Sequence, residues 1–253
     1  MSKTRKSKLS SIIAPFIAFL IIFSIWEAVV RIMGIPRWLL PAPSGIFVSM
    51  VVNFPEFWPH ISITMFTIFI GFILAVPIGI LLASIITTFK IVSSALSPYI
   101  IFLVTTPLIT LVPLLMLWIG YGIEIRIVTV IIQSFAIVNM NACTGFLNVP
   151  VLRHELMDSL GASRLKSFFS VILPTALPDV FTGIRLATIF ATTACISVEF
   201  LGGNTGLGSQ IIRYSQFLRA TDSFACIFYV TIIGLIMYGS VSILEKKIVS
   251  WKI

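Results

Sequence analysis

Five side chains recur on one helical stripe near the C-terminal third of the chain: Arg185, Thr188, Thr192, Cys195 and Glu199, at spacings of 3, 4, 3 and 4. Such spacing keeps them on one face of a helix. The sequence around them is apolar, and polar groups turned toward lipid cost several kcal/mol each. The stripe must therefore face protein or water. Ser134 and Asn141 share a second face, with Gly145 one turn beyond, and Thr105-Thr106 precede Pro107. Two chemistries suit these groups. They line a polar path through a membrane, or they hold helices together, within one copy or across a dimer. Intramembrane polar groups are pathway candidates by default, so the candidate set is Thr105, Thr106, Ser134, Asn141, Thr188, Thr192 and Glu199. Glu27 and Arg31, four residues apart, read as a simple helix pair.

Other chemistries are poorly served. The three cysteines, Cys143, Cys195 and Cys226, are far apart, and the two histidines are His60 and His154. No metal-ligand or nucleophile–base spacing results, so no metal site, catalytic residue or resident cofactor is expected. Gly202 to Gly208 is glycine-rich but lacks the Lys-Ser/Thr that a nucleotide phosphate loop needs. It reads as a flexible outer turn.

The elements that carry these residues must be membrane helices. Of the 253 residues, 58% are hydrophobic and only 10% charged, against about 25% charged in soluble domains. The net charge of +8 is not a nucleic-acid signature, because the basic residues fall between apolar runs rather than on one face. The expectation is an all-α, multi-pass membrane protein with about six spans. The first occupies 12–34, read as an uncleaved helix after a basic segment, 1–11. The others are placed at about 61–86, 96–119, 125–146, 178–201 and 224–244. With both termini cytoplasmic, inner segments hold Lys3, Arg5, Lys6, Lys8, Lys90, Arg153, Arg164, Lys166, Lys246, Lys247 and Lys252. Outer segments hold Arg31, Arg37, Arg126, Arg213 and Arg219. The excess lies inside, as the positive-inside rule requires. This divides the chain into 1–11, the first helix 12–34, an outer connector 35–60, a core 61–246 and a tail 247–253. Within the connector, Ser44 is expected to cap a short amphipathic helix reaching about Asn53. Pro107 and Pro113 should weaken the third span, which places it against protein or a cavity.

The longest polar loop is 147–177. Pro150 sets its start, a helix is expected from Glu155, and Gly161 fits the left-handed position that ends a helix. Glu155-Leu156-Met157, Gly161, and Val171-x-Leu173-Pro174 resemble, with the spacing intact, the EAA signature of permeases from ATP-binding-cassette importers. Leu156 and Met157 stand where the signature has alanines, and Val171 where it has isoleucine. Over roughly 40–251 the chain is similar to the nitrate/sulfonate/taurine type. The residues that carry this are Leu40-Pro41-x-Pro43-Ser44, Leu117-Trp118-x-Gly120, Ser159-Leu160-Gly161-Ala162-Ser163, Leu173-Pro174-x-Ala176-Leu177-Pro178 and Glu199-x-Leu201-Gly202. Val104-Thr105 and Pro107-Leu108 replace the Arg-Pro and Pro-Pro pairs frequent in that type, which argues against a purely anionic solute.

The resemblance implies a type I importer permease fold in the bacterial cytoplasmic membrane and a second permease copy. It also implies two cytoplasmic ATPase subunits that hydrolyse the ATP, and an extracytoplasmic solute-binding protein. It makes Glu155, Leu156, Met157, Asp158, Ser159, Leu160, Gly161, Ala162 and Ser163 the coupling helix, with the loop after Glu199 at the outer gate. A sulfonate- or nitrate-like anion, or a small heteroaromatic vitamin precursor, is the expected cargo. An ion-driven secondary transporter is the main rival; internal repeats and acid–base relays, its usual marks, do not stand out. A membrane enzyme would need a convergent catalytic set.

Overall fold

The computed structural model describes residues 3–250, and side chains from residue 13 onward. The basic side chains at Lys3, Arg5, Lys6 and Lys8, and the tail residues Trp251 and Lys252, lie outside the described side chains. In chain order the helices are α1 (Lys3–Ile32), α2 (Pro43–Val52), α3 (Phe54–Thr88), α4 (Lys90–Thr105), α5 (Leu108–Ile119) and α6 (Ile123–Leu147). After them come α7 (Val151–Ser159), α8 (Arg164–Ser167), a π turn (Phe168–Ile172), α9 (Leu173–Gly202), α10 (Leu207–Gln216) and α11 (Ala220–Ile248). Among the described residues there is no strand. Five helical stretches are long and apolar enough to cross a membrane, and α4 with α5 makes a sixth only as a pair bent by 104°. The expectation of about six spans holds in that form.

The break follows from local chemistry. Pro107 has no N–H to give and pushes Thr106 out of the helical region; Thr106 has φ −73° and ψ 124°. Thr105 and Thr106 turn their hydroxyls back onto the Ile101 and Phe102 carbonyls, which satisfies the end of α4 from within. Pro113 sits inside α5 without ending it.

At the centre, α6 packs between α3 and α9. Glycines permit the approach. A Cβ on Gly71 or Gly79 would lie 2.6 Å from Val130 or 2.8 Å from Val138 across the α3–α6 seam. On the other side, Gly183 of α9 sits where a Cβ would fall 2.6 Å from the Asn141 Cβ. Without a strong hydrophobic drive between helices in lipid, such close backbone contact is the main source of association. Helix α1 is peripheral. It joins α2 and α11 through a cluster of Phe23, Trp26, Phe47, Phe224 and Phe228.

Three boundaries differ from expectation. Helix α2 is apolar all round, with Val48 and Val51 exposed and Ile46 and Met50 buried, so it is not amphipathic. Ser44 does not cap it. Ala42 occupies the cap position, and the Ser44 N–H and hydroxyl both donate to Glu27 of α1, at 2.9 and 2.7 Å. Glu27 therefore supplies the acceptor, besides pairing with Arg31 at 2.5 Å. Helix α3 begins at Phe54, inside the stretch 35–60 expected to be connector. The fifth span is far longer than 178–201: α8, the π turn and α9 run on from Arg164 to Gly202, 39 residues.

Candidate coupling segment and outer polar cluster

By the charge pattern, the end of the bundle bearing α7 is cytoplasmic. Helix α7 starts at Val151, four residues before the expected Glu155. Pro150 is its N-cap, with φ −57° and ψ 134°, and α7 starts directly after it. Its end is as expected. Gly161 has φ +63°, its N–H donates to the Asp158 carbonyl, and the Ala162 N–H reaches back to the Met157 carbonyl. Those two bonds make a Schellman motif. Ser163 then caps α8 by accepting from the Lys166 N–H.

Met157 alone of α7 is buried, while Val151, Leu152, Leu156 and Leu160 are each more than half exposed. Leu165 and Phe169, just beyond, are exposed too. Glu155, Asp158 and Ser159 lie on the exposed surface among them, and Ala162 is half-buried. A hollow of about 400 Å³ lined by Arg153, Leu156, Ser170, Val171, Pro174 and Thr175 opens beside this face. Arg153 donates to the Thr175 hydroxyl, tying α7 to the first turn of α9.

The opposite end holds its polar groups inside. Glu199, 1% exposed, accepts from the Gly208 N–H at 2.7 Å and from the Thr64 hydroxyl at 2.8 Å. Arg126 lies 3.6 Å away with 5% of its side chain exposed. Thr64 in turn accepts from the Leu207 N–H at 2.9 Å, and His60 Nδ1 accepts from the Gly206 N–H at 3.1 Å. Three consecutive amides at the start of α10 are thus bound by side chains of α3 and α9. The glycine-rich run was expected to be a flexible turn; it is instead a pinned one, and its anion is a carboxylate of the same chain. The glycines make room: a Cβ on Gly206 would strike the Glu199 carboxylate, and one on Gly208 would meet the Glu199 Cβ at 2.7 Å.

A second knot lies close by. Tyr214 donates to Glu56 at 2.7 Å, and the Arg219 guanidinium sits 4.7 Å over the Tyr214 ring. Arg219 also pairs with Asp222 at 2.7 Å, and Asp222 accepts from Ser49 at 2.6 Å and from Asn53 at 3.2 Å. Burial first, and the hydrogen bond to Glu56 second, hold the Tyr214 phenol above its ordinary range.

The stripe on α9 faces protein. Arg185 pairs with Glu245 of α11 at 3.2 Å, the Thr192 side chain is the nearest neighbour of Gly234 on α11, and Glu199 anchors the outer cluster. Ser134, Thr188 and Glu199 have essentially no exposed surface in this conformation. Asn141 is half-buried against Gly183 and donates to the Ile137 carbonyl of its own helix. Thr105 is exposed and Thr106 half-buried at the α4–α5 break. The structure therefore does not bring the seven pathway candidates to one cavity. Sequence reasoning missed Thr64 and Arg126 as partners of Glu199, and His60 as the acceptor for the Gly206 amide, because separations of 135 residues for Thr64 leave no local periodicity.

A bundle with spans at these lengths, a glycine-mediated central seam, a broken span and a cytoplasmic helix between α6 and α9 defines a multi-pass transport subunit. The chain belongs to the family described as binding-protein-dependent transport system inner membrane component, whose model matches residues 75–250. It is 30% identical over 240 residues to the formylaminopyrimidine transport permease protein ThiX of Halalkalibacterium halodurans, covering 94% of this chain and 95% of that one. It is 26% identical to the taurine transport system permease protein TauC of Escherichia coli, covering 91% and 86%. A chain in the crystal structure of an amino acid ABC transporter with histidines superposes with a TM-score of 0.61 at 22% identity, covering 79% of this chain and 98% of that one. The fold is that of a type I importer permease, and the protein is a multi-pass component of the inner membrane.

Proposed function

We propose that this chain is the membrane-spanning half of an importer in which α7 and its Gly161 turn receive force from a cytoplasmic ATPase. The observation that supports this most directly is the exposed apolar face of α7 at the membrane end, seated between α6 and α9 and closed by a left-handed glycine. A monomer rarely leaves such a patch uncovered. Glu155 to Ser163 form the seat, and Arg153 with Thr175 carries displacement of the seat into α9. The chain hydrolyses nothing itself, and ATP is consumed by its partner. A solute-binding protein docks at the outer end, and a second copy of the chain completes the path, with Thr105, Thr106, Asn141 and Thr192 the pathway candidates that keep exposed or half-exposed surface.

A small heteroaromatic vitamin precursor is the cargo we favour over a sulfonate. Val104-Thr105 leaves the break in the third span without a cation beside it, and a formylaminopyrimidine permease is among the relatives. The test is reconstitution of the chain with its partner ATPase and binding protein. ATP-dependent uptake of a pyrimidine, but not of taurine, is the expected result. Uptake without ATPase, or with residues 151–176 accessible only from outside, would overturn the reading.

A further inference from the structure

The coupling segment and the outer cluster are two ends of one object. From Arg164 to Gly202 the chain is helical without a gap, 39 residues through α8, the π turn and α9. At about 1.5 Å per residue this is roughly 58 Å, against about 30 Å of hydrocarbon. Its inner end is continuous with the Gly161 turn, and its outer end carries Glu199. An axial or rolling movement imposed at α7 would reach that carboxylate along this one helical stretch.

Glu199 has a choice of partners there. In this conformation it is engaged by Gly208 and by Thr64. Yet Arg126, 4% exposed, has its Nη1 buried without a hydrogen-bond partner, 3.6 Å from the same carboxylate. An unpartnered buried guanidinium nitrogen costs free energy, and a shift of α9 of well under a turn would satisfy it at the expense of the loop amide. Packed elements of this kind are bistable rather than continuously deformable.

We propose that Glu199 is a positioning residue for transport: an outer latch that holds the start of α10 closed when bound to Gly208 and releases it when the moving α9 rod carries the carboxylate to Arg126. Thr64 and His60 complete the closed state through the Leu207 and Gly206 amides. Release frees the 203–208 loop and α10 at the face where a binding protein would deliver solute. This rests on the permease reading above and adds the residue exchange that would couple its two ends.

The test uses the complete complex with its ATPase and binding protein in nanodiscs. Ser209 lies buried under the loop, 8% exposed, so Ser209→Cys reports opening through its rate of labelling by a bulky hydrophilic maleimide, with the parent chain as control for the native thiols. Trapping with ATP and vanadate is expected to raise that rate about tenfold, as for a local opening. Glu199→Gln should label at the raised rate without nucleotide, and its ATPase activity should no longer need the binding protein. Thr64→Val, a near-isosteric change, should move both readouts the same way by a smaller factor, and Arg126→Gln should suppress the vanadate-induced rise. A labelling rate indifferent to nucleotide, in a complex whose ATPase is stimulated by the binding protein, would overturn the latch and leave the permease reading standing. Absence of that stimulation in the parent complex would overturn both. If Glu199→Gln merely lowers the amount of assembled complex and the surviving fraction stays coupled, Glu199 is structural and the latch is wrong.

Discussion

The outer end of the bundle binds its own polar groups, whereas the cytoplasmic end leaves its apolar groups bare. At the outer end hydrogen bonds tie Thr64 to Glu199, His60 to the Gly206 amide and Arg126 to Thr205, and others tie Tyr214 to Glu56 and both Arg219 and Ser49 to Asp222. Three of the five outer arginines, Arg31, Arg126 and Arg219, have a carboxylate within 4 Å. At the cytoplasmic end, Arg153, Arg164, Lys166, Lys246 and Lys247 appear in no ion pair among the described residues, and large side chains such as Leu152 and Leu160 are exposed. The contrast separates two kinds of surface. One is finished within the chain, so its charges define its own shape. The other is left open among the described residues, and in the proposed reading a partner finishes it.

The comparison breaks most readily at Arg126. Its replacement by Met strands the Glu199 carboxylate in a site with almost no water, at a cost of about 3–5 kcal/mol for a buried pair losing one member. Thermal unfolding of the purified chain should show it, and Arg126→Met with Glu199→Met should cost less than the sum of the two single changes. Next in size is Gly183→Ala, which puts a methyl against Asn141 and should cost about 1–3 kcal/mol by overpacking, read in the same melt. Smaller and more discriminating is a matched pair of turns. Gly34 and Gly161 have φ of +62° and +63°, and neither has an atom within 4 Å of a built Cβ. Alanine at either should cost about 1 kcal/mol of backbone strain. Only Gly161→Ala should lower ATPase-dependent uptake at equal protein level; equal transport by both would deny α7 its proposed role. Smallest is Arg37→Gln, an exposed cation in no ion pair, for which a stability change within about 0.5 kcal/mol is expected.

Much of this was legible in the sequence. The class followed from too few charges to cover the chain, and the break at Thr106 from Pro107 and the hydroxyls before it. Gly161 announced itself by its position after a short polar helix. What was not legible was anything that depended on who faces whom. The α9 stripe was correctly a polar face, but its neighbours are Glu245 and Gly234 of α11 and Thr64 of α3, far from it in sequence. The glycine-rich loop read as a flexible turn, and its pinning was not legible, since Glu199 lies three residues before it and the loop has to fold back to meet it. The reach of the fifth span was hidden by Pro174 and Pro178, which read as a boundary and turn out to sit at the start of α9, after the π turn.

That π turn has a consequence of its own. It holds one residue more than an α-helical turn would, and each residue of an α-helix turns the chain by about 100°. Deleting any single residue from 168–172 would let the segment relax to α-helix and swing everything from α7 to α8 by that azimuth around the α9 axis, with the membrane part untouched. The compass bearing of the proposed seat is therefore set by chain length at one joint, and a single codon there would re-aim it without altering a side chain of α7 itself.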